Sequence, residues 1–71
     1  MSEIILDLPY RVIGTSGEEH YVSVAGDQRP DGQWEAWLEY VPIDESIPLL
    51  TPTETTQTSR SGLVRWAEGL T

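Results

Sequence analysis

Residues 33–41, Gln-Trp-Glu-Ala-Trp-Leu-Glu-Tyr-Val, alternate with the two-residue period of an extended strand. Successive side chains of a strand point to opposite faces. That period places Trp34, Ala36, Leu38 and Tyr40 on one face, and Glu35, Trp37, Glu39 and Val41 on the other. The first set is apolar enough to face a core. The second sets an indole between two carboxylates. Pro42 ends the run, because it has no N–H to give to a ladder.

The rest of the chain supplies companions for this strand. Ile4 to Ile13 reads as a first strand, with Tyr10-Arg11-Val12-Ile13 its firmer part; Pro9 belongs on an edge or at a bend. Gly14 to Glu19 reads as a turn, and His20 to Ala25 as a strand rich in β-formers. Asp27 to Gly32 is the next turn, its Asp31-Gly32 pair a hairpin signal. Beyond Pro42 a turn is expected at Asp44-Glu45-Ser46, then a short fourth strand within Ile47 to Thr51.

The threonine-rich stretch Thr51 to Ser59 reads as a loop leading into a helix, with Thr55 or Thr58 as the cap. The helix itself is expected over roughly 56–68. Leu63, Trp66, Ala67 and Leu70 share one face, Trp66 is the expected plug against the sheet, and Gly69 is the stop. Gly62 costs this helix about 1 kcal/mol relative to alanine. The fold class is therefore α+β: a three- to four-stranded antiparallel sheet with one C-terminal helix packed on one face, as a single domain over residues 1–71.

A chain of 71 residues buries only about 60% of its unfolded surface. Its core supplies about 3–5 kcal/mol. There is no cysteine to staple it, and one histidine makes a structural zinc site a poor expectation. Twelve carboxylates face four arginines and no lysine, for a net charge of −8. Binding to nucleic acid or to anionic membranes needs the opposite sign. An acidic surface suits a basic protein partner, such as a nuclease, or simply keeps the protein soluble. The N-terminus lacks the basic and long apolar regions of a signal peptide. With the absence of cysteine, this points to the cytoplasm.

Catalytic patterns are sparse. Glu18-Glu19-His20 suggests a weak metal site or, with Glu19 as orienting group, a small hydrolase; the plainer expectation is a hydrated turn followed by a surface histidine. Glu35 and Glu39 are about 13 Å apart along a strand, too far for a coupled pair. Gly14-x-x-Gly17 has no helix after it, so it is not a phosphate loop. No catalytic residue, metal or cofactor is expected. The candidate partner-binding residues are Glu35, Trp37 and Glu39, joined by Tyr21 from the neighbouring strand: an aromatic among acids suits ion pairing and cation–π contact. Two other covers for Trp37 remain open, namely cross-strand packing on Tyr21 or Arg11 and the subunit of a homodimer.

The strand order, the Asp31-Gly32-Gln33-Trp34 opening of the third strand and the Thr53-Glu54-Thr55 segment before the helix resemble the HicB-like antitoxin domain, over about residues 10–70. The chain also looks like small bacterial proteins with a Trp-Glu-Ala-Trp-Leu-Glu strand and a Trp-Ala-x-Gly-Leu helix end. The HicB-like resemblance implies a partial ribonuclease-H-like sheet with one helix packed on it, and a role in masking a small basic ribonuclease toxin. Pro42, Pro48 and Pro52 do not keep the family's spacing, and its DNA-binding domain has no counterpart here. A nucleic-acid-mimicking inhibitor of a defence nuclease and an accessory subunit of a larger assembly are the alternative readings.

Overall fold

A computed structural model describes every residue except Met1 and Glu45, so the turn expected at Asp44-Glu45-Ser46 lies partly outside the described residues. The elements are β1 (Glu3–Ile13), β2 (Glu19–Gln28), β3 (Trp34–Pro42), β4 (Leu49–Leu50), β5 (Thr55–Gln57) and α1 (Arg60–Glu68). The sheet is antiparallel in the order β1-β2-β3-β4, with β5 also paired to β3. The helix packs on one face. The α+β class and the β-β-β-(β)-α order expected from the sequence are both present.

β2 and β3 form a regular hairpin from His20↔Pro42 to Gln28↔Trp34. Its turn closes through the N–H of Gly32 donating to the Arg29 carbonyl, with Gly32 at φ +89°, a left-handed conformation that glycine adopts without strain. β1 runs along the free edge and slips register twice, between Ile4 and Leu6 and between Asp7 and Arg11. Pro9 sits inside the second slip, as its missing N–H requires. A broken, proline-bearing edge is a poor template for further strands.

The other edge corrects the sequence reading. The threonine tract is not a loop running into a helix: Thr55–Gln57 is a strand, and helix α1 starts only at Arg60. β4 and β5 together act as one interrupted outer strand. The Thr51 N–H donates to the Leu38 carbonyl (3.0 Å), the Leu38 N–H to Thr51 Oγ1 (2.9 Å), and the Glu54 N–H to the Ala36 carbonyl (2.8 Å). β-Branched threonines lose side-chain freedom in a helix and fit a pleated surface, so pairing with β3 wins over a helical turn.

The cap is accordingly Ser59, neither Thr55 nor Thr58. Its backbone is extended and its hydroxyl accepts from the Gly62 N–H at 3.1 Å. Ser59→Ala is expected to lower stability by about 1 kcal/mol, read as a reduced urea midpoint with an unchanged slope.

The core lies between α1 and the sheet and contains Leu8, Val22, Val24, Ala36, Leu63 and Ala67. Trp34, Leu38 and Tyr40 pack against it, as the alternation of β3 requires. Leu63, not Trp66, is the plug: Leu63 is fully buried, whereas Trp66 packs at the margin. Gly26 makes this seat possible. A Cβ there would lie 2.8 Å from Leu63 Cδ1 and 3.0 Å from the Glu35 carbonyl oxygen, so the helix approaches bare backbone.

Two polar ties hold the helix along β1. Arg60 Nε and Nη2 each donate to Glu3 at 3.0 Å, and the Tyr10 hydroxyl donates to the Leu70 carbonyl at 3.4 Å. The hydrogen bond from Arg60 holds the Glu3 carboxyl below its ordinary range. A lowered carboxyl stabilises the fold above the unfolded-state value and stops doing so as pH falls through the folded one. Both groups are exposed, so the effect is small. Thermal melts are expected to place Glu3→Gln slightly below the parent at neutral pH and level with it in acid.

Candidate functional site

The face of the sheet away from α1 is ordered in rows that run across the strands. Register pairing sets the sequence of rows. Asp27, Glu35 and Thr56 form an acidic row. Ile4, Ala25 and Trp37 form an apolar row beside it. Asp7, Ser23, Glu39 and Leu50 form a second acidic row. Arg11, Tyr21 and Val41 follow, then Ile13 and Glu19. Neighbouring rows are about 6–7 Å apart, two residues along a strand.

Trp37 therefore lies on the helix-free face between two carboxylate rows, as the alternation of residues 33–41 predicts. It is half-buried and pairs across the strands with Ala25, which is only 1% exposed. Glu35 accepts a hydrogen bond from Thr53 Oγ1 at 3.3 Å, and Ser23 donates to Asp7 at 2.7 Å. Glu39 has no hydrogen bond or ion pair among the described residues. The described arginine ion pairs lie elsewhere: Arg11 on Glu19, Arg29 on Asp31, Arg60 on Glu3. Trp37 thus keeps carboxylates on both sides and no arginine among them.

Tyr21 shares this face but does not join Trp37. It is two rows away, and Arg11 sits over its ring, 5.0 Å from the centroid, while also pairing with Glu19 at 3.2 Å. Arg11 packs on Tyr21 rather than on Trp37. Asp7 and Asp27, which the sequence reading passed over, complete the acidic rows in place of Tyr21. Asp7 became legible only with the register shifts of β1, which alternation alone does not reveal.

His20 is the second departure. It was expected on the surface and is only 6% exposed, on the helix side of β2 opposite Pro42. Glu19, considered with it as a hydrolase pair, points to the opposite face, since consecutive strand residues must. His20 and Ser46 border one cavity, but the ring makes no hydrogen bond among the described residues, so no nucleophile–base contact is formed. Among the described residues no group of three or more histidine and carboxylate side chains is placed to hold a metal ion, and no helix is long and apolar enough to cross a membrane.

Compared with family models, with curated proteins and with solved structures, the chain matches none.

Proposed function

We propose that this protein is a non-catalytic binding module whose helix-free sheet face takes a basic protein, in the manner of an antitoxin that masks a nuclease-type partner. The observation that carries the reading is Trp37, partly exposed between the rows Asp27-Glu35 and Asp7-Glu39, with Glu39 unpaired among the described residues. An indole between carboxylates offers an arginine-bearing surface both cation–π and ionic contact. Exposed Ile4 (50%) and Leu50 (60%) on the same face add apolar area, so the partner is expected to present aliphatic side chains among its cations. This mixture favours a protein surface over pure mimicry of a phosphate track. The resemblance to HicB-like antitoxins agrees with a masking role.

The test is capture from the native host at low salt, with the tagged parent and Trp37→Ala side by side. The parent is expected to retain one protein of high isoelectric point that is released by raised salt. Trp37→Ala is expected to bind it more weakly by over 1 kcal/mol, about fivefold or more, while keeping the parent's circular dichroism. An unfolded variant would assign Trp37 to stability; equal binding by a folded one would remove it from the site.

A further inference from the structure

The cavity at the end of the sheet beyond α1 is independent of the proposed face and lies on the opposite side. It measures about 320 Å³ and is bordered by Glu18, His20, Pro42, Asp44, Ile47 and Leu49. We infer that it is a binding site for an aliphatic organic cation, a guanidinium or primary ammonium on a short alkyl stem.

Four observations converge on that class. His20 is more than nine-tenths buried and lines the cavity, yet its ring makes no hydrogen bond among the described residues. No buried side-chain nitrogen or oxygen among the described residues lacks a partner, so the ring nitrogens open onto the cavity, where a neutral imidazole offers a lone pair to a donor. Glu18 stands beside it: a Cβ on Gly14 would meet Glu18 Cδ at 3.3 Å and His20 Cε1 at 3.4 Å, so both border the same spot. The turn that sets Glu18 there is closed by the Gly14 N–H donating to the Glu18 carbonyl at 2.7 Å.

Asp44 supplies a second carboxylate, aimed by the Ser46 N–H that donates to its Oδ1 at 3.0 Å. Hydrogen bonding from Ser46 holds the Asp44 carboxyl below its ordinary range, which keeps it charged. Beside Ser46, Pro42 and the partly exposed Ile47 and Leu49 add apolar lining. Two anions, an acceptor nitrogen and an aliphatic wall match a ligand with a cationic head and a hydrocarbon stem. An anion meets two carboxylates, and a purely apolar ligand leaves their attraction unused.

Such a head arrives either as a free small molecule or as an arginine or lysine side chain. The experiment titrates butylguanidinium, and separately a capped tripeptide with a central arginine, into the ¹⁵N-labelled protein at about pH 8, where free imidazole is neutral. Butyramide, with the same stem and no charge, is the control. Amide shifts are expected at residues 18–20 and 42–49, with butyramide weaker by about tenfold or more. Glu18→Gln with Asp44→Asn is expected to weaken the cation by at least about tenfold while leaving the rest of the spectrum in place. Should that pair fail to fold, Ile47→Asp, at a rim position 84% exposed, is expected to strengthen cation binding severalfold. Binding of the small cation assigns a metabolite-like ligand, and binding of the peptide alone assigns a partner's side chain. No shifts with either probe, equal shifts with butyramide, or shifts confined to the Trp37 face would overturn the site. The proposed partner face stands or falls separately, because none of these residues belongs to it.

Discussion

Leu63→Ala is expected to bring the chain to the edge of unfolding at room temperature. Leu63 is the largest of the fully buried side chains and lies under neither a loop nor a margin. Its Cδ1 reaches so near the backbone of β2 that a Cβ at Gly26 would lie 2.8 Å away and push it aside. Truncating a leucine in such a seat costs about 2–5 kcal/mol, through lost transfer energy and the cavity left behind. A core of this size supplies about 3–5 kcal/mol in total. The two figures overlap, so one side chain decides whether the fold persists. Gly26→Ala attacks the same contact from the other side and is expected to cost about 1–3 kcal/mol by overpacking. Trp66→Ala should cost less than Leu63→Ala, because the indole packs at the core margin. Urea unfolding followed by circular dichroism ranks the three. A folded Leu63→Ala beside an unfolded Trp66→Ala would return the role of plug to the tryptophan.

Those expectations also mark what the sequence made legible. The period of residues 33–41 was enough to place Trp34, Ala36, Leu38 and Tyr40 inward and Trp37 outward, since a regular central strand obeys alternation without exception. Pro9 announced an edge, because proline is tolerated where no N–H is needed. The helix face was legible in its apolar spacing. Its start was not. Thr55 satisfies a cap pattern and a strand pattern equally well, and only the free edge of β3 decides between them.

Choosing Trp66 over Leu63 as the plug failed for a related reason: size ranks side chains in a sequence, whereas approach to Gly26 ranks them in space. Two site readings depended on cross-strand register. Tyr21 and Trp37 lie on one face of adjacent strands, yet the pairing Tyr21↔Val41 and Ala25↔Trp37 separates them by two rows. His20 looked like a surface residue because its carboxylate neighbours at 18 and 19 are hydrophilic. As the first core-side position of β2, it turns inward.

Reversing the charge of the acidic rows, by Glu35→Lys with Glu39→Lys, is expected to abolish capture of the basic partner, with affinity lower by about a hundredfold or more. Each substitution removes one attraction and adds one repulsion, and like charges set against each other at an interface cost several kcal/mol. The fold should be indifferent. Both side chains lie on the helix-free face, Glu39 has no hydrogen bond or ion pair among the described residues to lose, and Glu35 gives up only a long hydrogen bond from Thr53.

The same variant separates a basic partner from a second copy of the chain. Two identical copies meeting through this face would set acidic rows against acidic rows, at −8 apiece. Charge reversal would then turn a repelling contact into one where the altered chain attracts the parent. Sedimentation of the parent, the variant and their equimolar mixture reads this directly. Loss of the captured protein with all three samples monomeric supports a heterologous basic partner. A dimer of the parent alone that the reversal breaks, with capture unaffected, would mean that the face is built to meet its own kind, and the masking role would fall with it.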